Sequence, residues 1–502
     1  MPTNPSRPPD LWGGVDVGTQ SVRVVLVDDH GALAGRGFGT LDSTRDGRVH
    51  EQDPRQWWRV FGAACRQAIG ELDPHRIRGL AICSTSGTFL LADRLGRPRT
   101  AALMYGDARA GAEAEEVAAA GAGLWTSLGY AMQRSWALPK LVWLLRHGEP
   151  ALRTDADRGR LELLHCADYL ARQLTGGRVA TDWSHALKTG YDLDAGRWPT
   201  EVMDKLGIPA GLLPEVVRPG TEIGRVGRAG SDHTGLPVGT PVHAGMTDGC
   251  GALIAAGSLT PGSWNSVLGT TLVLKGVTAT RISDPGGAIY SHRHPDGGWL
   301  PGGASNVGAE FLRSWFPDAD PHQLDRAAAR YEPSNGLVYP LVARGERFPF
   351  VEPAAEPFQL GSFVDDGDRY AAVLQGVAFV ERLSFAYLRG LGAPVDGKLS
   401  ATGGGTNSRY WCQLRADVLG REITLPRVPE PAFGMAVLAA AGEGRVSAAA
   451  ERMVQVADVL APRPDAAARF GDAYRRFVTA LVARGYVDAD LARLATADAE
   501  AG

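Results

Sequence analysis

The feature that most constrains this chain is one pattern that occurs twice: an apolar strand, a Gly-Thr turn and a second apolar strand. Residues 13–28 contain it with the turn Gly18-Thr19. Residues 263–274 contain it again with the turn Gly269-Thr270-Thr271. A repeat about half a chain apart predicts two similar domains that face one site.

The two Gly-Thr turns are suited to phosphate binding. A tight turn between strands presents backbone N–H groups and a hydroxyl, which together form a concavity for an oligophosphate. Asp16, just before the first turn, could hold a metal ion through water. Residues 13–28 alone are equally consistent with an ordinary hairpin and a solvated Asp16. The repeat favours phosphate binding, because one site would use both turns.

A third glycine-rich turn, Gly403-Gly404-Gly405, follows a predicted strand at 399–402 and precedes a predicted helix at 408–419. The start of a helix offers free N–H groups and a positive dipole end. Glycines there allow the backbone to approach a ligand closely. Three glycines in a row are by themselves more often a plain loop. In combination, the three turns predict a nucleotide site.

Length and composition limit the remaining possibilities. A chain of 502 residues is too long for one core and predicts two or more domains. The net charge of −4, without runs of like charge, argues against nucleic acid or an anionic membrane as the main partner. No leader-like apolar segment or membrane-length run is present, and five scattered cysteines form no C-x-x-C pair. We therefore expect a cytoplasmic protein in a reducing compartment.

The periodicity and the turn residues predict the following elements. Strands are predicted at 11–17, 22–27, 32–38, 77–83, 88–92 and 399–402. Helices are predicted after Asp53 as N-cap with Pro54 in the first turn, at 139–147, 161–174, 250–256, 371–391 and 408–419, and in the Ala-rich part after about 432. Residues 180–245 are predicted to be rich in loops.

The chain lacks the P-loop, the dinucleotide-binding glycine motif and the H-E-x-x-H zinc signature. Its motif order instead resembles the FGGY family of carbohydrate kinases over roughly residues 11–445. The motifs are VDVGTQSVRVVLVD, EQDPRQWW, YGDAR, CADYL, HAGMTDGCGA, SVLGTTLVL and SATGGGTNSRYW. The resemblance implies an α/β fold of two actin-like ATPase (ribonuclease H-like) domains. Each would be a mixed sheet flanked by helices, with the active-site cleft between them.

The resemblance also implies domain bounds and partners. It predicts a disordered tail at 1–10, an N-terminal domain at 11–244, a C-terminal domain at 245–490 and a tail at 491–502. The first domain would carry the sugar side and the first phosphate motif, and the second domain would carry the second phosphate motif and the adenosine motif. ATP, Mg²⁺ and a small sugar are the implied ligands, and a homodimer stays open.

A finer similarity is to the D-ribulokinase branch, through STSGTFLL, SHALKTGYD, LLPEVVRPGTEIG, GGASNVGAEFL and LVARGERFP among other stretches. Thr85-Ser86-Gly87 stands where the usual xylulokinases have Met-His-Gly. Residues 105–109, YGDAR, stand where they have Trp-Asn-Asp-x-Arg. These departures favour D-ribulose over D-xylulose, and leave D-xylulose, L-ribulose and a polyol such as ribitol open.

Site roles follow from the resemblance. Asp248 would be the general base, although its position also fits an N-cap of the next helix, and the two roles are compatible. Asp16 would orient the Mg²⁺-phosphate and reach the sugar, and Ser86 would bind a sugar hydroxyl unless it serves only the turn. The implied sugar contacts are Asp16, Ser86, Tyr105, Asp107, Arg109 and Asp248. The implied nucleotide contacts are Gly18, Thr19, Gln20, Ser21, Gly269, Thr270, Thr271, Gly403, Gly404, Gly405 and Asn407.

Two other classes of function fit the motifs less well. A sugar or nucleotide sensor on the same scaffold would have no need of Asp248 and both Gly-Thr turns. An actin-like or Hsp70-like ATPase would not need the EQDPRQWW and YGDAR elements. A kinase that closes on its sugar excludes water, which predicts slow ATP hydrolysis without sugar.

Overall fold

The computed structural model describes residues 8–317 and 320–497. Residues 1–7 and 498–502, which belong to the two predicted tails, lie outside the described residues.

The strands are β1 (Leu11–Val17), β2 (Ser21–Asp28), β3 (Leu33–Thr40), β4 (Thr44–Asp46), β5 (Val49–Gln52), β6 (Ile77–Ser84), β7 (Phe89–Asp93), β8 (Ala102–Leu103), β9 (Leu161–His165), β10 (Thr181–Asp182), β11 (Val216–Val217), β12 (Glu222–Arg225), β13 (Pro241–His243), β14 (Trp264–Leu268), β15 (Leu272–Gly276), β16 (Ile289–Arg293), β17 (Trp299–Ser305), β18 (Leu337–Tyr339), β19 (Phe358–Leu360), β20 (Leu399–Thr402), β21 (Ile423–Pro426) and β22 (Val456–Leu460).

The α-helices are α1 (Pro54–Ile69), α2 (Gly111–Ala120), α3 (Ala122–Ser127), α4 (Ala137–His147), α5 (Pro150–Asp157), α6 (Cys166–Thr175), α7 (Trp183–Leu187), α8 (Thr200–Lys205), α9 (Arg228–Thr234), α10 (Asp248–Ala255), α11 (Glu310–Trp315), α12 (Pro321–Ala328), α13 (Asp366–Gly390), α14 (Arg409–Leu419), α15 (Pro431–Ala441), α16 (Val446–Met453), α17 (Ala466–Ala483) and α18 (Ala489–Ala497). Short 3₁₀ turns occur at Pro74–Arg76, Ala210–Leu212 and Gly404–Asn407.

The chain forms two compact units, and each unit is built from three separate segments of the chain. Unit 1 contains the described residues up to Ala255, with His292–Gly297 and Glu430–Val454. Unit 2 contains Ala256–Ser291, Gly298–Pro429 and the described residues from Gln455 onwards. The chain therefore returns to unit 1 near residue 430, whereas the predicted bounds divide it once, at 244/245. The predicted tail from 491 begins inside α18.

The main sheet of unit 1 has the order β12-β13-β6-β1-β2-β3. Strands β13, β6 and β1 are parallel neighbours, while β12, β2 and β3 pair in the antiparallel sense. The carboxyl ends of the three parallel strands therefore lie along one edge. Unit 1 also contains a smaller sheet with the order β4-β5-β8-β7-β9.

The main sheet of unit 2 repeats this arrangement, with the order β16-β17-β15-β14-β20-β21-β22. Strands β14, β20 and β21 are parallel neighbours, and β15, β17 and β22 pair in the antiparallel sense. Because β14 and β15 correspond to β1 and β2, the repeat of the Gly-Thr pattern is a repeat of the sheet. The prediction of two similar domains is confirmed at this level.

Helix α1 begins as predicted. The Asp53 side chain caps it by accepting a hydrogen bond from the backbone N–H of Arg55, and Pro54 occupies the first turn. The spacing predicts Trp57, Trp58, Phe61 and Cys65 on its inner face; Trp57, Phe61 and Cys65 are buried, and Trp58 is partly buried.

Helix α15 packs against β1 at a very short distance. A Cβ atom added to Gly14 would lie 1.8 Å from the carbonyl oxygen of Ala432. The same occurs between α15 and α10, where a Cβ on Gly434 would lie 2.0 Å from the carbonyl oxygen of Gly251. Glycine is therefore required for the returning segment to close onto the sheet of unit 1.

Helix α13 is the core helix of unit 2. Among the described residues it alone is long and apolar enough to cross a membrane, but 89% of its most apolar window is buried in the protein. The spacing predicts Val373, Val377, Val380 and Tyr387 on one face; the three valines are completely buried, and Tyr387 is partly buried.

The predicted helix at 161–174 is wrong in its first turn. Residues Leu161–His165 form strand β9, which pairs with β7 in the antiparallel sense, and the helix begins only at Cys166. The side chain of Asp168 accepts a hydrogen bond from the His165 backbone and so fixes this start. A short buried strand has no alternation that distinguishes it from a helix, which explains the error. Within 180–245, three short helices, α7–α9, accompany the predicted loops.

Candidate functional site

Asp16 and Asp248 belong to one edge of the unit 1 sheet. Asp16 is near the carboxyl end of β1, and Asp248 begins α10 shortly after the parallel strand β13. Strand β6 lies between β13 and β1, and its last residue, Ser84, forms a parallel bridge with Thr247, the residue before Asp248. Ligands of α/β sheets bind outside the carboxyl ends of parallel strands. The prediction that Asp16 and Asp248 share one site is therefore consistent with the topology.

The two carboxylates have different environments. Asp16 is 3% exposed, its Oδ2 lies 3.3 Å from Arg23 Nη1, and its Oδ1 accepts a weak hydrogen bond from Cys83 Sγ at 3.6 Å. Burial, and then repulsion by Asp248, raise the pKa of Asp16 to about 6 against the attraction of Arg23. Asp248 is only partly buried, and its Oδ1 accepts a hydrogen bond of 2.7 Å from the Gly249 backbone.

The first Gly-Thr turn accepts a hydrogen bond from Gln52, a residue that the sequence did not predict to belong to the site. Gln52, at the end of β5, donates from Nε2 to the Thr19 carbonyl at 2.6 Å. Its amide is oriented by Ser43 Oγ at 2.8 Å and by the Trp57 indole, which donates to Oε1 at 2.6 Å. The turn itself closes with a bond of 3.0 Å from Gly18 N to the Ser21 carbonyl. Gln52 and Trp57 both lie in the EQDPRQWW motif, which is the signal that could have identified Gln52.

Ser86 is the second residue after the end of β6. Its Oγ is buried and has no hydrogen-bond partner within the described part of the chain. Its neighbours in the turn are satisfied locally, since Thr85 and Thr88 share a hydroxyl contact of 2.8 Å. A buried hydroxyl without a partner is costly, so its position fits a group that a ligand completes.

Tyr105, Asp107 and Arg109 occupy one turn, but their side chains differ in availability. Asp107 is buried and accepts hydrogen bonds from the His50 backbone N–H at 2.9 Å and from the Arg109 guanidinium. Arg109 also pairs with Glu51 and lies over the Trp143 ring at 4.3 Å. Burial disfavours the charge of Arg109, but Asp107 and Glu51 outweigh it and raise its pKa. Tyr105 is 43% exposed, which leaves its ring the most accessible of the three.

A buried network connects β6 with the segment that precedes Asp248. Ser84 Oγ lies 2.9 Å from His185 Nε2, and His185 Nδ1 pairs with Asp182. Burial opposes the imidazolium form, but Asp182 outweighs it and raises the pKa of His185. Ser184 Oγ donates to Asp182 and accepts the backbone N–H of Thr247 at 2.9 Å. These side chains are almost completely buried, so none of them is accessible as a nucleophile. Their contacts hold Thr247, the residue that precedes α10, in place.

The second Gly-Thr turn lies in unit 2, at the carboxyl end of β14. Gly269 N donates to the Thr271 carbonyl at 3.0 Å, two residues further on, whereas Gly18 N bonds to the Ser21 carbonyl three residues further on. Residues 307–309 enclose this turn, since Ala309 N donates to the Gly269 carbonyl at 2.8 Å. A Cβ on Gly308 would lie 2.2 Å from the Thr270 carbonyl oxygen. Thr270 is exposed at the turn.

The glycine-rich turn lies at the end of the neighbouring parallel strand β20, so unit 2 brings both of its predicted nucleotide motifs to one edge. Gly403 has a φ of 89°, and a Cβ there would lie 2.6 Å from the Leu268 carbonyl oxygen. A 3₁₀ turn at Gly404–Asn407 precedes α14, whose N-cap is Ser408 rather than a glycine. Gly404 and Asn407 are exposed, and Gly405 is buried.

The donors available to a metal ion are few. Among the described residues, no group of three or more His, Cys, Asp or Glu side chains could hold a metal. Mg²⁺ usually keeps several waters and binds through one or two carboxylates together with substrate phosphates. Asp16 and Asp248 form a donor set of that kind, so the residues present fit Mg²⁺ that arrives with a nucleotide.

Comparison with known proteins agrees with this architecture. The N-terminal domain of the FGGY family of carbohydrate kinases matches residues 11–255, and its C-terminal domain matches residues 265–443. The chain belongs to the FGGY family of carbohydrate kinases. It is accordingly an enzyme that phosphorylates a sugar, and its two units, each a mixed sheet flanked by helices, have the actin-like ATPase fold.

Individual relatives have similar length. The chain is 29% identical to a xylulose kinase of Streptomyces rubiginosus over 442 residues, covering 85% of this chain and 87% of the relative. It is 27% identical to the autoinducer-2 kinase of Escherichia coli K12 over 486 residues, covering 90% of each. The crystal structure of a xylulose kinase from Rhodospirillum rubrum superposes with a TM-score of 0.83 at 26% identity, covering 94% of this chain and 98% of that one. Kinases of this family use ATP, typically with Mg²⁺.

Proposed function

We propose that the protein transfers the γ-phosphoryl group of ATP to a pentulose, D-ribulose, to form D-ribulose 5-phosphate. The observation that carries the chemical part is the pairing of a partly exposed Asp248 with a buried, electrostatically coupled Asp16 at the carboxyl edge of parallel strands. Phosphoryl transfer needs in-line placement, neutralisation of phosphate charge and a base for the hydroxyl proton. This pair supplies one carboxylate for each of the last two needs.

Asp248 is assigned the role of general base. It would accept the proton of the sugar hydroxyl as the oxygen attacks the γ-phosphorus and the bond to the β-phosphate oxygen breaks. A positioned base contributes on the order of 10²–10⁴ in rate. Its place in the first turn of α10 supports both its orientation and the start of the helix.

Asp16 is assigned to the metal side and to the sugar. Mg²⁺, when bound with ATP, supplies positive charge that offsets the charge of the transferring phosphoryl group. Asp16 would orient it through water, and its partner Arg23 limits the movement of the carboxylate. Contacts to the phosphates are assigned to Gly18, Thr19, Gln20 and Ser21 in unit 1.

In unit 2, the remaining phosphate contacts are assigned to Gly269, Thr270 and Thr271. The adenosine side is assigned to Gly403, Gly404, Gly405 and Asn407. The exposure of Thr270, Gly404 and Asn407 supports these assignments.

The sugar contacts are assigned to Ser86, Tyr105, Asp107 and Arg109, with Asp16 and Asp248 at the reacting end. The unpartnered hydroxyl of Ser86 supports a bond to a sugar hydroxyl. Because Asp107 is occupied by Arg109 and His50, it would act mainly by orienting Arg109. The serine at this position, in place of histidine, is what favours D-ribulose.

D-Xylulose is a second candidate. Relatives of similar length from Streptomyces rubiginosus and Rhodospirillum rubrum are named xylulose kinases, and they support this sugar about equally. The two sugars are epimers, so one hydroxyl decides between them.

A coupled assay of ADP release tests the proposal over D-ribulose, D-xylulose, L-ribulose, ribitol and glycerol. The highest kcat/KM is expected with D-ribulose, and ADP release without sugar is expected to be far slower. A higher kcat/KM with D-xylulose would transfer the assignment to the second candidate. Hydrolysis of ATP as fast without sugar as with it would contradict a kinase.

A further inference from the structure

Lys140 is a fully buried lysine whose charge none of the assigned roles uses. It lies in α4, within the otherwise apolar run Ala137–Leu145, and is 0% exposed. Its Nζ donates to two neutral carbonyl oxygens, that of Gly87 at 2.7 Å and that of Met104 at 2.8 Å. Burial lowers its pKa to about 7, against the attraction of Asp107. Burial of an ammonium group costs free energy, so the presence of Lys140 at this position needs an explanation.

The two carbonyls belong to the two turns that carry the sugar contacts. Gly87 follows Ser86 directly, and Met104 precedes Tyr105 directly. The Met104 carbonyl also accepts the backbone N–H of Asp107 at 3.0 Å. Lys140 therefore connects the end of the β6 turn with the start of the 104–109 turn through a single atom.

Two other contacts join the segments beside these turns, and one of them is the antiparallel pairing of Phe89 with Leu103 in β7 and β8. Tyr105 N donates to Thr88 Oγ1 at 3.2 Å, which is longer than either bond made by Lys140. Gly87 has a φ of 83°, so its carbonyl is oriented by a backbone conformation that other residues rarely adopt. Each bond made by the ammonium is accordingly shorter than the direct Tyr105–Thr88 bond between the two turns.

We propose that Lys140 is a positioning residue that holds the Ser86 turn and the Tyr105 turn at a fixed separation and thereby sets the affinity for the sugar. The inference rests on the proposed function, because the sugar contacts are assigned there. A methionine of similar length would fill the same space but leave both carbonyls without a donor. The turns could then separate, and part of the free energy of sugar binding would be used to order them.

The test is Lys140→Met in the full-length chain, with KM measured separately for the sugar and for ATP. Loss of two hydrogen bonds between ordered turns predicts a rise of about tenfold to a hundredfold in the KM for the sugar. The KM for ATP is expected to change less than about twofold. A role in stability alone would lower Tm and leave the KM for the sugar unchanged, and that result would overturn the proposal.

Two matched variants complete the comparison. Lys398 in unit 2 also donates to a backbone carbonyl, that of Ala256 at 3.4 Å, and Lys398→Met is expected to leave the KM for the sugar unchanged. Lys140→Gln keeps two N–H donors on a shorter side chain and is expected to restore part of the affinity. Failure of Lys140→Gln to improve on Lys140→Met would contradict a role through these hydrogen bonds.

A measurement on the unchanged protein covers the case in which the Lys140 variants do not fold. Hydrogen exchange of residues 84–88 and 104–109 is followed with and without sugar. Joint protection of both segments supports the connection, and protection of one segment alone overturns it. Failure of the sugar assignment is seen separately, because the ADP-release panel identifies the sugar before any variant is compared.

Discussion

Gln52 donates a hydrogen bond of 2.6 Å to the carbonyl oxygen of Thr19, which connects the end of β5 with the first phosphate-binding turn. The bond is short, and the Gln52 amide is fixed on both sides by Ser43 and Trp57. The glutamine of the EQDPRQWW motif thus acts on the turn without belonging to it. The EQDPRQWW motif therefore has a physical role at the first Gly-Thr turn, although the two lie more than 30 residues apart in the sequence.

Gln52→Met is expected to raise the KM for ATP about tenfold and to lower the free energy of unfolding by about 1–3 kcal/mol. The turn loses its donor, and the Trp57 indole loses its acceptor. Steady-state kinetics and thermal unfolding measure the two effects. Gln173→Met is the matched control, because Gln173 donates a similar bond of 2.7 Å to the carbonyl of Gly96, outside the assigned site. An unchanged KM for ATP in Gln52→Met would separate Gln52 from nucleotide binding.

Gly308→Ala is expected to weaken nucleotide binding through the second turn. The added Cβ would meet the Thr270 carbonyl oxygen at 2.2 Å, so the backbone of the turn must shift. Overpacking of this kind costs about 1–3 kcal/mol, which corresponds to about 5- to 150-fold in the Kd of ADP if the turn absorbs it. Isothermal titration with ADP is the measurement. In Gly111→Ala the Cβ meets open space, and no loss is expected; equal affinities in the two variants would contradict the steric argument.

Asp248→Asn is expected to lower kcat by about 10²–10⁴ while the Kd of ADP stays the same. The amide cannot accept the hydroxyl proton, but asparagine suits a helix start as well as aspartate does. Asp53→Asn makes the same exchange at the start of α1, where the side chain caps the helix, and is expected to retain full activity. Turnover close to that of the unchanged protein in Asp248→Asn would remove Asp248 as the base.

Asp16→Asn is expected to stabilise the protein at pH 8 and to abolish transfer. The folded-state pKa of Asp16, about 6, lies above the ordinary value of 3.8, so between these values the folded state binds the extra proton. The free energy of unfolding therefore falls as the pH rises through this window, by an amount on the order of 1–3 kcal/mol. The variant lacks this loss, so its gain in Tm should be present at pH 8 and absent near pH 4.

Thermal unfolding at the two pH values tests the Asp16 prediction. Asp46→Asn, at an exposed carboxylate, is the control and should leave Tm unchanged at both. A Tm for Asp16→Asn that is lower at pH 8 than that of the unchanged protein would mean that the carboxylate is stabilising as an anion.

Much of the sheet framework could be predicted from local patterns. Strands 11–17 and 399–402 have the predicted bounds, and the helix after Asp53 begins where the cap and the proline indicate. These signals depend on residues that are neighbours in sequence. The repeat of the Gly-Thr turn also predicted the repeat of the sheet, because the turn is part of the strand connection itself.

The missed features depend on contacts between distant residues. Residues 161–165 form a strand because β7 is available to pair with them, which the local sequence does not reveal. Lys140 and Gln52 act on carbonyls 33 to 53 positions away, and a backbone carbonyl leaves no sequence pattern. One signal did exist for Lys140, namely a single charge in an apolar helix. The assumption of continuous domains likewise did not anticipate the return of Glu430–Val454 to unit 1.

The close packing of α15 on β1 has a consequence for biosynthesis. The surface around Gly14 accepts the backbone of Ala432 at a distance that leaves no space for a side chain, and Ala432 follows more than 400 residues later. At roughly 5–20 residues per second, the ribosome needs roughly 20–90 s to reach it. During that time the first strands emerge without the helix that covers them. A chain that terminates before residue 430 would therefore leave an incomplete N-terminal unit for chaperones and proteases.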